Sequence, residues 1–270
     1  MFARHLCASR AHVTARVHTN KPFQFLRIES VVSAAALCFL PMACSAEEAL
    51  AAPADILGLP EFSLSLDSDY VVRGVSYSDG QTTLGTSMTW DHDSGLYASI
   101  SGAITKGFDH EPKMRGIMEN VGFVHKLNRD VTVDVGASRA DYIINTSEKY
   151  RINYAELYSG LTYKNLSAYA YYTPSYLGEG PESLYFDVNS VVRAATNLRL
   201  AAHVGLLSTL GKWGPDADVR KNADYRLSSV YELGSTEVRL SWTSTSHYYY
   251  YPPGIAHRSD AVVVGLSHFF

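Results

Sequence analysis

The chain has 270 residues, with 23 Lys and Arg against 27 Asp and Glu, and 46% of its residues are hydrophobic. Its three cysteines, Cys7, Cys38 and Cys44, all lie in the first 46 residues, so the rest of the chain has no disulfide framework, no thiolate metal site and no thiol nucleophile. That rest is acidic and rich in tyrosine, and it lacks the basic footprint of a nucleic-acid-binding protein. Its length suits one large all-β domain.

Residues 1–46 are predicted to be a secretory signal peptide. An apolar run at 31–40 follows Arg27 and a basic stretch, and small residues precede Glu47. The run is too short for a spanning helix, which needs about 20 apolar residues. The alternatives are a buried helix of a cytosolic domain and lipidation at Cys44, although Pro41 stands where a lipoprotein signal has Leu.

Residues 47–60 are expected to form a loose periplasmic tail, and residues 61–270 alternate between apolar and polar side chains. Successive side chains of a strand point to opposite sides, so this period predicts strands with one apolar and one polar face. The first strand is predicted to run from Glu61 to Gly74. Its apolar face would carry Phe62, Leu64, Leu66, Tyr70 and Val72. The same period recurs at 83–90, 131–138, 166–173, 198–205 and 237–242.

The connections between these segments alternate in length. Five tight polar turns lie at 91–95, 128–130, 164–165, 193–196 and 233–235. Six longer connections lie at 76–81, 105–113, 143–149, 174–183, 207–223 and 246–257. This order predicts about twelve antiparallel strands, with short periplasmic turns, longer external loops and both termini in the periplasm, as in barrels of the bacterial outer membrane.

Two features favour a transmembrane β-barrel over a soluble one. The polar faces consist mainly of Ser, Thr, Gly, Asn and Tyr, with fewer charges than a water-exposed surface normally carries. Aromatic residues fall near strand ends on the apolar face, with Trp90 and Tyr163 at the turn end and Tyr70 and Tyr172 toward the loops. Interfacial girdles of a membrane barrel have this placement. The apolar face is therefore predicted to meet lipid and the polar face to line the lumen.

The last segment, residues 261–270, ends the chain on Phe270. This end resembles the C-terminal aromatic signal that the barrel-assembly machinery reads in bacterial outer-membrane barrels, with His268 at a step where an apolar residue is usual. The run Ser68-Asp-Tyr-Val-Val-Arg-Gly74 resembles the signature of the proteobacterial TorF-type porins, and 153–158 and 225–234 resemble later segments of that family. The resemblance covers about 60–270. It implies an outer-membrane pore for small hydrophilic solutes or ions, surrounded by lipid and lipopolysaccharide.

The strand faces identify charged residues that would point into the lumen. They are Asp67, Asp69, Arg73, Asp134, Glu156, Asp187, Arg199, His203, Arg226, Glu237 and Arg239. Such charges can set ion selectivity, as rings of charged side chains do in pores. They can also pair across the lumen and narrow or close it, because buried charges need partners. The sequence predicts neither a metal site nor a cofactor.

Three functions are compatible with this pattern. The first is a passive pore. The second is a closed structural or adhesive barrel whose loops, 207–223 and 246–257 above all, carry a binding activity; the latter contains the aromatic run Tyr248–Tyr251. The third is an interfacial lipid-modifying enzyme, which would need His203 beside a serine such as Ser190 or Ser228.

Overall fold

The computed structural model describes residues 60–106, 111–143, 151–178, 180–211, 221–246 and 260–270. The predicted signal peptide, nearly all of the tail and the Tyr248–Tyr251 run lie outside these ranges. The helix that they contain is a short 3-10 turn at Tyr176–Gly178. In the described part of the chain, no helix is long and apolar enough to cross a bilayer.

The described residues form β-strands almost throughout. Their bounds are Glu61–Asp67 (β1), Val71–Val72 (β2), Val75–Ser76 (β3), Thr83–Asp91 (β4), Leu96–Lys106 (β5), Pro112–Lys126 (β6), Val131–Ile143 (β7), Arg151–Tyr163 (β8), Leu166–Thr173 (β9), Ser183–Ala195 (β10), Leu198–Thr209 (β11), Lys221–Leu233 (β12), Thr236–Thr245 (β13) and Asp260–Phe269 (β14).

Twelve of these strands close into one antiparallel barrel. Each strand from β4 to β14 pairs with its neighbour in the chain, and β1 closes the wall by pairing with both β4 and β14. The predicted number of strands and the alternation of tight turns with longer connections are therefore confirmed. Both ends of the barrel sequence, Glu61 and Phe269, lie at the end of the barrel that carries the tight turns.

The two faces of the wall are inverted relative to a soluble barrel. Large apolar side chains lie exposed on the outside of every wall strand, among them Leu157 at 61% and Val262 at 66% exposure. Buried hydroxyl, amide and charged side chains point inward, including Ser99, Asn120, Glu156 and Ser241. This is the face assignment that the sequence predicts, and it is the arrangement of a barrel that sits in lipid.

The first strand is shorter than predicted. β1 ends at Asp67, and residues 68–82, called the inner segment here, turn into the barrel, where β2 and β3 form a small hairpin. Arg73 and Gly74 take positive φ angles of 47° and 76° at the hairpin tip. The predicted lipid-facing positions of Tyr70 and Val72 are therefore wrong, because both side chains pack inside the barrel.

Local hydrogen bonds explain why the strand ends there. The Asp69 carboxylate accepts hydrogen bonds from Ser76 Oγ at 2.6 Å, Ser78 Oγ at 2.7 Å and the Gly80 amide at 3.2 Å. Aspartate bonds of this kind, to groups nearby in the chain, compete with the ladder bonds that a continuing strand would need. The polar run thus folds on itself, although its period matches a strand.

Glycines on the inner face make room for tyrosine rings. Gly136 lies directly opposite Tyr158, and a Cβ on Gly136 would overlap the Tyr158 hydroxyl. Gly122 has the same relation to Tyr97 on the neighbouring strand, and Gly160 to Tyr169. Each ring therefore lies flat over the adjacent strand instead of projecting to the barrel axis.

The seam between the first and last strands is short. β1 and β14 pair over Ser63–Asp67 and Gly265–Phe269, and Phe62 packs on Phe270 with ring centroids 5.6 Å apart. Arg239 Nη2 donates to Asp67 Oδ1 at 2.6 Å, and this ion pair passes over Gly265. The ion pair connects β1 to β13 across β14 at one height, so it stabilises the seam from the inside.

Candidate functional site

The interior of the barrel has two unlike walls. Strands β5 to β10 carry most of the inward tyrosines: Tyr97, Tyr142, Tyr154, Tyr158, Tyr169, Tyr171 and Tyr185. The opposite wall carries hydroxyl groups that pair between strands, such as Ser63 with Ser87 at 2.6 Å and Ser228 with Ser241 at 2.8 Å. The interior is therefore lined by aromatic rings on one side and by small hydroxyl groups on the other.

The inner segment packs on the tyrosine wall at the loop end. Val72, Val75 and Tyr77 are buried against residues of β6, β7 and β8. The Tyr77 ring meets Tyr142 edge-on, with centroids 5.0 Å apart. Tyr142 is fully buried. Burial raises the pKa of the Tyr77 hydroxyl, so this group stays neutral. The segment is thus attached by apolar contacts as well as by charge.

One ion pair attaches the tip of the inner segment to the wall. Arg73 Nη2 donates to both carboxylate oxygens of Glu156, at 3.0 and 2.7 Å, and Thr173 Oγ1 donates to Glu156 at 2.9 Å. The guanidinium also lies over the Tyr185 ring, 4.1 Å from its centroid, where a cation is favoured. The side chains of Arg73 and Glu156 are 17% and 2% exposed, so the pair is largely shielded from water.

The tip also reaches the far side of the lumen. A Cβ on Gly74 would overlap Asp224 of β12 and the backbone oxygen of Ser244 on β13. The inner segment therefore spans the interior from the tyrosine wall to β12 and β13. It narrows the lumen at the loop end.

A carboxylate lies among tyrosine hydroxyls lower in the barrel. Tyr97 and Tyr169 donate to Asp134, each at 3.0 Å, and the Tyr97 hydroxyl is also hydrogen-bonded to Tyr158. Asp134 is thus held by neutral donors rather than by a cation.

His203 is the centre of a third cluster. Its Nδ1 faces Asn189 Oδ1 at 2.7 Å and its Nε2 faces Asp224 Oδ1 at 2.9 Å, while Asn189 Nδ2 donates to Asp187 at 2.8 Å. Because Asn189 uses its NH₂ group on Asp187, its oxygen faces the imidazole and requires a proton on Nδ1.

The serine that an enzyme would need does not join this cluster. Ser190 lies on the outward-facing side of β10, and Ser228 bonds to Ser241 instead. Among the described residues, His203 is hydrogen-bonded to Asn189, Asp224 and Tyr185 and to no serine. The geometry therefore gives no support to the lipid-modifying enzyme. No group of residues that could hold a metal occurs in the described ranges either.

The turn end of the lumen carries its own ion-pair network. Arg199 lies 2.7 Å from Glu232 and 2.5 Å from Glu237, and Arg193 donates to Glu232 at 2.9 Å. Arg199 is almost fully buried, whereas Arg193 is about one-third exposed at the mouth of the barrel. This network thus sets two arginines against two glutamates.

All the charged residues that the sequence assigns to the lumen lie inside the barrel. The wall contributes Asp67, Asp134, Glu156, Asp187, Arg199, His203, Arg226, Glu237 and Arg239, and the inner segment contributes Asp69 and Arg73. Asp69 makes its hydrogen bonds within its own segment, to Ser76 and Ser78. Arg73 does pair with another strand, through Glu156.

Sequence reasoning missed several charged residues of the interior. Asp224 and Glu232 lie on β12 at even-numbered positions, as does Arg226, and Arg193 shares the inward parity of Asp187 on β10. That parity could have identified them. Arg115 differs, because an irregularity near Ala103 and Ile104 in the β5–β6 register displaces it from any simple alternation.

Comparisons with known proteins agree with this architecture. A family described as a bacterial protein of unknown function (Gcw_chp) matches residues 60–246. No curated protein matches the sequence. Among solved structures, the NanC porin aligns with a TM-score of 0.51 and 11% identity over 78% of this chain and 99% of NanC.

Two further structures are similar at lower scores. The KdgM porin aligns with a TM-score of 0.49 and 10% identity over 77% of this chain and 98% of its own. The COG4313 outer membrane channel from Pseudomonas putida F1 aligns with a TM-score of 0.45 and 9% identity over 81% and 98%. The likeness to NanC shows that the chain has a porin fold.

Proposed function

We propose a function for this chain, which belongs to the Gcw_chp family of bacterial proteins of unknown function: it is a passive channel of the bacterial outer membrane for small hydrophilic solutes and ions. The observation that carries the proposal is the inverted barrel, with an apolar outside and an interior of hydroxyl and charged groups. Such an interior favours water and polar solutes, while the outside favours lipid. The porin fold supports the same function.

The inner segment would set the size limit of this channel. It lies across the loop end, so a solute has to pass beside it. Small solutes and ions are therefore the expected cargo. Most of the charged groups of the interior are paired, as Asp67 is with Arg239 and Glu156 with Arg73. Because the interior holds more acids than bases, the channel should prefer cations weakly.

The proposal also covers the porin type, the export signal, the side of the membrane on which the termini lie and the contacts of the barrel. We place the chain among the TorF-type porins, with residues 1–46 as its export signal and 47–60 as a periplasmic tail. Both termini would lie in the periplasm, with Phe270 read by the barrel-assembly machinery and lipopolysaccharide in contact with the loop end. Phe270 supports the assembly signal. β1 begins and β14 ends at the turn end of the barrel, which supports the placement of both termini in the periplasm.

Cell fractionation and conductance measurements test the proposal. The native chain should be found in the outer-membrane fraction and migrate faster unheated than boiled. Purified and reconstituted in a planar bilayer, it should give single-channel currents. A folded, heat-modifiable barrel without currents would refute the channel, and a soluble chain without the gel shift would refute the membrane barrel.

The reach of the inner segment favours a second candidate. Since this segment contacts both sides of the lumen, the barrel could be closed, with a binding activity carried by the long connections 207–223 and 246–257. The two candidates differ in one measurement. Neutralising Arg73 changes ion selectivity in an open channel, whereas in a closed barrel it mainly lowers stability.

A further inference from the structure

The outer face of the barrel carries one polar area within its apolar surface. On β6, β7 and β8, the outward positions include Glu119, Arg139, Asp141 and Arg151, called the charged patch here. Arg151 is the first residue of β8, and the other three lie inside their strands, whereas the other described wall strands hold no Asp, Glu, Lys or Arg at outward positions away from their ends. The patch is therefore a local exception on a surface that is otherwise built for lipid.

The charges alternate in sign across the three strands. Glu119 lies directly opposite Arg139 in the pairing of β6 with β7. Asp141 follows Arg139 on the same face, and Arg151 of β8 donates to Asp141 through Nε at 2.8 Å and Nη2 at 2.5 Å. The series acid, base, acid, base has no net charge.

Part of the patch lies within the apolar belt. Glu119 lies between Ile117 and Val121 on its own strand and opposite Ile100 of β5. Arg139 is eight residues above the turn end of β7. At about 2.5 Å of height per residue of a tilted strand, that places Arg139 about 20 Å above the turn end, in the loop-side part of a belt about 25 Å tall. Charged side chains inside the belt are unfavourable against lipid and normally have a partner, although the cost falls toward the edges of the belt.

The surface beside the charges carries several small side chains around the exposed Leu157. Ala137, Ala155, Ser159, Ala168 and Ala170 occupy outward positions on β7, β8 and β9, where other parts of the belt carry Leu, Val, Phe or Trp. Small side chains permit close approach of another protein wall within a membrane.

We propose that the charged patch and the small residues beside it form the contact between two copies of this chain in the membrane. The alternating charges are self-complementary under a two-fold axis, so that Glu119 of one copy meets Arg139 of the other. An anionic lipopolysaccharide headgroup fits less well, because Glu119 and Asp141 would repel it. A second copy withdraws Glu119 and Arg139 from lipid.

Cysteine cross-linking in native outer membranes tests the contact. The proposal rests on the membrane placement, so the heat-dependent gel shift of each variant is recorded first. Val121→Cys and Ala137→Cys lie beside Glu119 and Arg139 on the proposed face, whereas Val204→Cys lies outward on β11, six residues from the turn end as Ala137 is. The unaltered chain, whose own cysteines lie at 7, 38 and 44, gives the background. Cross-linked dimers are expected from the first two variants and not from the third.

A charge exchange then tests the pairing itself. Glu119→Arg should lower the cross-linked fraction of the Ala137→Cys chain about tenfold, because like charges then face each other, and adding Arg139→Glu should restore it. Light scattering in detergent should give the mass of two chains. Folded barrels that stay monomeric and cross-link no better than the Val204→Cys control would overturn the dimer while leaving the channel intact. Lipopolysaccharide that is lost from Arg139→Glu monomers would identify the lipid as the occupant instead, and a chain without the gel shift would refute the membrane barrel.

Discussion

The Arg73–Glu156 ion pair should control how firmly the inner segment is docked. We consider the variant Arg73→Gln, which removes the cation and leaves Glu156 buried with a single hydrogen bond, from Thr173. Breaking a buried ion pair in this way costs about 3–5 kcal/mol. The remaining hydrogen bond and the partial exposure of Arg73 place this case at the lower limit, about 3 kcal/mol.

This magnitude translates into a measurable change of population. Since 1.4 kcal/mol corresponds to a factor of ten, a loss of about 3 kcal/mol shifts the undocking equilibrium of the inner segment by about 10²-fold. The lumen would then be wide for a much larger share of the time. Single-channel recordings should show higher conductance, and vesicles that contain the variant should swell in sugars that the native channel excludes.

Two companion variants make the prediction specific. Asp79→Asn changes an exposed residue of the same segment and should leave the currents as they are. The double variant Arg73→Gln, Glu156→Gln leaves no uncompensated charge, so its currents should lie closer to native than those of Arg73→Gln alone. The role of the ion pair in docking is refuted if Arg73→Gln gives native currents with an intact gel shift. It is also refuted if the double variant gives the same currents as Arg73→Gln alone.

Three other changes probe the wall. Arg239→Gln leaves the Asp67 carboxylate at the seam without its cation and should lower stability by about 3–5 kcal/mol. The temperature at which the gel shift is lost should therefore fall. An unchanged temperature would mean that this ion pair does not stabilise the seam. Gly136→Val should displace the Tyr158 ring and lower the free energy of unfolding in urea, measured in lipid vesicles, by about 1–3 kcal/mol. Gly102→Ala is the control, because its new Cβ would have its nearest neighbours 3.8 Å away and should leave that free energy unchanged. Leu240→Arg, on the outer face of β13, should reduce insertion into vesicles at a cost of about 2–4 kcal/mol. Normal insertion would mean that this face does not meet lipid.

The wall could be predicted from the sequence because a single physical rule governs it. Lipid outside and water inside require a period of two, and residues 61–67 or 198–205 show that period over their full length. The tight turns were equally readable, since polar residues and glycines mark them. These signals are local, so they survive without knowledge of the three-dimensional contacts.

The inner segment could not be predicted in the same way. Tyr70 and Val72 continue the alternation of β1, yet the carboxylate of Asp69 binds groups up to eleven residues later and turns the chain inward. The apolar side chains then find partners such as Met118 and Ile152, which lie far away in the sequence. Which charges pair is non-local too. Arg239 meets Asp67 across the seam only because Gly265 leaves the space free.

The docking of residues 68–82 has a consequence for how the barrel withstands stress. A hydrophobic cluster like the core of a soluble domain is formed by Val72, Val75, Tyr77, Met118 and Ile152. The wall that encloses it directs its own large apolar residues outward. The loop end is thus stabilised by the hydrophobic effect in water as well as by the surrounding lipid. A detergent that strips the outside leaves this cluster untouched. The loop end should therefore be the last part of the barrel to lose its structure.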